Sequence, residues 1–292
     1  MHFNALTMKK KALVVFLLTV LQFALIPLGI CAQSPKNSLK VTIIPHRSNL
    51  GNEQAYGTLF KALENETGIT FEWIGSKTYD DVIKNITTQK ADIAYVGPFA
   101  YVDAQDNFGV RLICRTLSKK NAAFYHSMII TRKNSGIRTL QDLRGKSFSF
   151  TDRKSTSGYL FPMAQLKKSG IQLDDFSDVK YLKRHANSLL AVYKAHVDAG
   201  ATSYTAIDKV KINFDELKIL WKSEPIYRGP WIARKDLPDE QFYKIQKAML
   251  KISQGEEADK IFQGLTTKGF VEGNDSDYNN VREVVRLMQI KK

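Results

Sequence analysis

The chain is 292 residues long, carries a formal charge of +14 and is 43% apolar once tyrosine and cysteine are counted, enough for two medium lobes or one large domain. Its one cysteine beyond the N-terminal leader, Cys114, has no partner, which excludes an internal disulfide and leaves the fold resting on its core. The lysines are scattered rather than clustered and three of them sit in an export leader, so nucleic acid is excluded in favour of small anions or an acidic membrane surface.

The leader occupies residues 1–32. Lys9-Lys10-Lys11 is a basic n-region and residues 12–26 are an apolar run of signal-peptide length, shorter than most spanning helices. Cleavage is expected after Ala32. Lipid attachment at Cys31 ranks second, because Ile30 is bulky where a small residue is usual. Either route places the chain outside the cytoplasm, in the periplasm.

From there strands and helices alternate. Residues 39–44 read as a strand, 54–66 as a helix with Leu59, Phe60 and Leu63 on one side, 70–74 as a strand, 79–88 as a helix and 91–96 as a strand that stops at Gly97-Pro98. Such an order predicts right-handed crossovers and a mostly parallel sheet with helices on both faces, whose ligands gather beyond the C-terminal ends of the strands. Strand-like runs follow at 110–116, 126–132 and 146–150. A helix over 157–168 is followed by a strand at 179–182, a helix at 185–194 and strands at 197–201, 217–221 and 231–234. Helices at 239–252 and 256–264 and a last one with Val281, Val284, Val285 and Met288 on one face end the chain.

The chemically loaded stretch is 151–162, where a strand hands over to a helix through Ser155-Thr156-Ser157-Gly158. Free backbone N–H groups and the positive end of the helix dipole meet there and favour an anion, with hydroxyl donors added at no cost in charge. The same residues also read as an ordinary N-cap. Enzyme signatures are absent: no serine sits in G-x-S-x-G, no phosphate-loop motif occurs and no H-E-x-x-H pair exists, so a hydrolase using Ser157 and His185 has only the presence of those residues behind it. No cofactor and no metal site is expected.

Four segments, in this order, resemble the periplasmic phosphonate-, phosphite- and phosphate-type solute-binding proteins of ABC transporters. They are Ala91-Asp92-Ile93-Ala94-Tyr95-Val96-Gly97-Pro98, Ser155-Thr156-Ser157-Gly158-Tyr159-Leu160-Phe161-Pro162, residues 185–192 with Val197-Asp198-Ala199-Gly200-Ala201, and residues 230–237. The resemblance implies an α/β, two-lobed periplasmic binding protein of type II. Each lobe would be a mostly parallel sheet flanked by helices, and a two-segment hinge would join them. Lobe one would hold 33–122 and 225–292, lobe two 123–224.

It further implies that Ser155, Thr156 and Ser157 grip the oxygens of a phosphorus oxyanion, that His185 joins them, and that Tyr79 and Tyr125 face them; Tyr95 and Tyr204 are weaker candidates. The partner would be a membrane permease and the protein a monomer. Two alternatives keep the fold: a ligand sensor for a separate signalling receptor, and a binder of another oxyanion or organic anion. One departure narrows the ligand. Family members that take aminoalkyl phosphonates place carboxylates opposite the phosphonate, whereas Ala201-Thr202-Ser203-Tyr204-Thr205 and Tyr227-Arg228-Gly229-Pro230 contain none. A ligand without an ammonium is therefore expected, held by neutral donors and lobe closure rather than by a salt bridge.

Overall fold

The computed structural model describes residues 38–288; the expectations for the leader and for Cys31 lie outside the described residues. Strands and helices alternate from the start. β1 (Ser38–Ile43) leads to α1 (Asn49–Thr67), β2 (Thr70–Trp73), α2 (Tyr79–Thr87), β3 (Ile93–Tyr95), α3 (Pro98–Phe108) and β4 (Arg111–Ser118). The short β5 (Phe124–Tyr125) then crosses to β6 (Ser127–Arg132), β7 (Ser147–Phe150), α4 (Phe161–Lys168), β8 (Asp178–Tyr181), α5 (His185–Tyr193), β9 (Ala199–Ser203) and β10 (Leu217–Lys222). A second short strand, β11 (Ile226–Tyr227), returns the chain to β12 (Pro230–Ala233), α6 (Asp239–Ile252), α7 (Ala258–Ile261), β13 (Thr267–Val271) and α8 (Asn279–Met288).

Two sheets result, ordered β13-β4-β12-β3-β1-β2 and β10-β6-β9-β7-β8, and β5 pairs with β11 as a separate two-stranded ribbon. Each sheet is mixed rather than mostly parallel. β1 pairs in parallel with β2 and β3, and β7 with β8 and β9, as βαβ crossovers require. β12, however, enters from the returning chain and runs antiparallel between β3 and β4, and β6 runs antiparallel between β9 and β10. The alternating elements gave the parallel half of each sheet; strands that arrive through a long-range return leave no such local pattern.

Local chemistry explains the element boundaries. α1 starts at Asn49, five residues before the start expected from the sequence, because the Ser48 hydroxyl accepts the Gly51 N–H. It ends at left-handed Gly68, whose N–H bonds to the Glu64 carbonyl. α2 begins with a reciprocal capping box between Thr78 and Asp81. α3 was not foreseen. Pro98, which in the sequence looked like the end of a strand, is the first residue of a helix, a position where its missing N–H costs nothing. α3 buries Pro98, Phe99, Ala100, Tyr101, Val102 and Ala104, so no polar face betrays its period over the first half.

The core around the first sheet joins Leu59, Leu63, Ile93, Ile113 and Trp231, all buried. The second sheet is covered on both faces. Phe148, Phe150 and Leu166 pack on one side, Met128, Ile130, Leu189 and Val192 on the other. Cys114 is a buried free thiol beside the Met249 sulfur at 3.8 Å, and burial pushes its ionisation well above the ordinary thiol range.

Candidate functional site

Four helix starts meet at one place. Tyr79 opens α2, Gly97-Pro98 opens α3, Ser155 caps a single π-helical turn (Thr156–Leu160) that runs on into α4, and His185 opens α5. All four border a cavity of about 60 Å³. Helix N-termini present unpaired N–H groups and partial positive charge, so this convergence favours an anion over a cation. π-helical turns are themselves frequent at functional sites.

The six residues singled out from the sequence, Tyr79, Tyr125, Ser155, Thr156, Ser157 and His185, all line this cavity. The N-cap reading and the anion reading of the loop turn out to be compatible. Ser155 Oγ accepts the Gly158 N–H at 3.0 Å, and Thr156 Oγ1 accepts the Phe99 N–H at 2.8 Å. A hydroxyl whose lone pair is taken this way keeps its own proton to donate. The Phe99 bond also ties the loop to α3, as does the pair between Lys154 Nζ and Asp103 at 2.7 Å.

The phenols are donors as well. Burial raises the ionisation of Tyr79 well above the ordinary phenol value, the Asp152 charge adds to that, and the nearby Ser155 hydroxyl pulls it back. Burial pushes Tyr125 up to about 12 against the pull of hydrogen bonds with the Ser157 and Thr156 hydroxyls. Both phenols therefore keep their protons at neutral pH. The His185 ring nitrogens lie 3.3 Å from Ser155 Oγ and 3.4 Å from Thr151 Oγ1. The ring thus faces Ser155 and Thr151.

Of the weaker tyrosines, Tyr95 lines the cavity with its ring 5.6 Å from that of His46, whereas Tyr204 is 49% exposed and stands apart. Sequence reasoning passed over His46, Ser203, Thr205 and Arg228, which complete the wall together with Ile44, Gly229 and Thr266. Ser203, Thr205 and Arg228 lie in the two segments inspected for carboxylates. The first supplies Ser203 and Thr205 hydroxyls, 2.9 Å apart, and the second a guanidinium. No carboxylate is among the lining residues, but the expectation of neutral donors alone needs correction, because Arg228 adds a full positive charge.

Gly158 is required by space. A Cβ there would run into the Thr151 side chain and reach 2.9 Å from Ser155 Oγ, the atom that caps the turn. Gly158→Ala should cost about 1–3 kcal/mol of stability, as overpacking does, and weaken ligand binding with it. A melting curve and a titration of the same preparation check both effects.

A family model described as "ABC transporter, phosphonate, periplasmic substrate-binding protein" matches residues 41–278. The chain belongs to this family. As a phosphonate-type periplasmic substrate-binding protein it is 28% identical to the phosphate-import protein PhnD of Mycolicibacterium smegmatis, over 88% of each chain. A binding protein component of a Pseudomonas aeruginosa phosphonate transporter has the same fold, with a TM-score of 0.79, 24% identity and 86% of each chain covered. A Prochlorococcus marinus protein solved in complex with methylphosphonate follows at a TM-score of 0.76 and 20% identity, covering 87% of this chain and 99% of that one. The type II binding-protein fold expected from the resemblance is the one observed, and the family assignment agrees with it.

Proposed function

We propose that this protein captures a compact phosphorus oxyanion (phosphate, phosphite or a small alkylphosphonate) and delivers it to the permease of an ABC transporter, with no covalent chemistry. Tyr79, Tyr125, Ser155, Thr156, Ser157 and His185 bind the oxyanion. Two lobes, 33–122 with 225–292 and 123–224, close around it. The protein works as an exported monomer and takes no nucleic acid. The observation that carries the reading is the convergence of four helix starts on one cavity that lacks a carboxylate.

Size supports it. A cavity of about 60 Å³ is small and suits a compact group such as a tetrahedral oxyanion. The membership of the two sheets supports the lobes, since the strands on either side of the β5 and β11 crossings belong to different sheets. Names of relatives point the same way: one imports phosphate and another was solved with methylphosphonate.

The test is a thermal-shift screen of the mature protein against phosphate, phosphite, methylphosphonate, aminoethylphosphonate and sulfate. A ligand that binds only the folded state at 100 times its dissociation constant adds about 2.7 kcal/mol. One of the first three should raise the melting temperature, and aminoethylphosphonate should do so least among the phosphorus compounds. If no phosphorus compound moves it, the ligand class is wrong.

A further inference from the structure

Arg228 lies between β11 and β12 and is only 6% exposed. Arginine is almost never buried to this extent without a counter-charge, because desolvating the guanidinium is costly. Among the described residues it forms no ion pair. Its Nε has no hydrogen-bond partner, and one terminal nitrogen donates to the Thr266 carbonyl at a long 3.4 Å. The guanidinium is thus a buried positive charge whose open side is the cavity wall.

The backbone holds it there. The Arg228 N–H donates to the Ala123 carbonyl at 3.0 Å, and the Tyr278 hydroxyl donates to the Arg228 carbonyl at 2.8 Å. Next to it, a Cβ on Gly229 would strike the Val96 carbonyl, so this segment packs backbone against backbone on the end of β3. The residue is positioned before any ligand arrives, which removes an ordering cost from binding.

We propose that Arg228 reads the charge of the ligand, so that the site selects a compact oxyanion with two negative charges and no cationic tail. This rests on the oxyanion reading given above. The hydroxyls, phenols and helix starts attract an anion only as dipoles; the desolvated guanidinium carries a full charge, so each further negative charge nearby adds most to its attraction in a poorly screened site. The same guanidinium repels an ammonium, and no carboxylate on the wall offsets that repulsion. Methylphosphonate above its second ionisation is a dianion. Methanesulfonate has nearly the same shape with a single charge, which makes the pair a direct probe.

The experiment is calorimetry with the full mature protein, above the second ionisation of methylphosphonate, using methylphosphonate, methanesulfonate, phosphate, phosphite and aminoethylphosphonate. Wild-type protein should prefer methylphosphonate over methanesulfonate by about 100-fold or more. Arg228→Gln should weaken methylphosphonate by about 30-fold or more, the range seen when one partner of a buried charge pair is truncated. It should also narrow the preference to under about tenfold, while Arg228→Lys restores part of it. The ligand-free Arg228→Gln protein should melt no lower than wild type, since an uncompensated buried charge has been removed.

Equal wild-type affinity for methylphosphonate and methanesulfonate overturns the proposal without need of any variant. So does Arg228→Gln protein that binds methylphosphonate within threefold of wild type. Binding that survives in both proteins sinks only the role of Arg228. Wild-type protein that takes no phosphorus compound sinks the oxyanion reading and this proposal together.

Discussion

Thr156→Val should weaken oxyanion binding and lower the melting temperature in the same protein. Valine keeps the shape and removes the hydroxyl, which does two jobs at once. It accepts the Phe99 N–H at 2.8 Å, and it lines the cavity with its own proton left to donate. Losing a hydrogen bond to a charged ligand costs about 1–3 kcal/mol, roughly a 5- to 150-fold rise in dissociation constant. The buried Phe99 N–H would also be left without an acceptor, which costs about 1–3 kcal/mol of stability. Ser155→Ala should weaken binding by a similar factor, because its hydroxyl both caps the π-helical turn and faces His185. Titration with the ligand found in the thermal-shift screen, beside chemical denaturation, separates the two effects. Affinities within twofold of wild type in both variants would remove the loop from the site.

The second large effect is expected far from any ligand oxygen. Trp231 is 1% exposed on β12, the strand that the returning chain inserts between β3 and β4. Its ring lies 5.6 Å from Tyr95, 6.0 Å from Tyr56, and 6.3 Å from both Phe60 and Phe270. Trp231→Ala empties the middle of that cluster and should cost about 3–5 kcal/mol. Because Tyr95 also lines the cavity, ligand affinity should fall as well. Trp231→Phe keeps most of the packing and should cost less. A loss below about 1 kcal/mol for the alanine variant in denaturant unfolding would mean that the cluster is not a keystone of the first sheet.

How much of this was legible in the chain depends on what each residue announces locally. Ser155, Thr156, Ser157 and His185 stand where a strand gives way to a helix, a signal that needs no third dimension, whereas Tyr79 was singled out by the resemblance. Tyr125 came from resemblance alone, since its two-residue strand has no period to read. Arg228 escaped because it follows an equally short strand, β11, and an arginine in a basic chain looks like one more solvated charge. Only its burial and missing partners set it apart. α3 escaped for the opposite reason: its first half, Pro98–Val102, is apolar on every side, so helical period and strand-like hydrophobicity cannot be told apart there. β13 was hidden by the Lys268-Gly269 pair in its middle, and its partner β4 lies some 150 residues upstream. Mixed sheets are the general case of this blindness. The parallel pairs follow from neighbouring elements, the antiparallel ones from a return that only the folded chain reveals.

The two-residue strands that carry the chain between the sheets have a consequence for what lengths the molecule tolerates. In β5 the residues alternate, with Tyr125 turned to the cavity and Phe124 42% exposed, its ring 4.3 Å from that of Tyr227. Arg228 follows β11 directly. Adding or deleting one residue in either crossing would exchange inside for outside, putting a benzyl ring where a phenol donor now stands or carrying the guanidinium out to water. Surface loops elsewhere can lengthen at little cost, but these crossings keep count. An engineer splicing a reporter into this protein should cut anywhere except there.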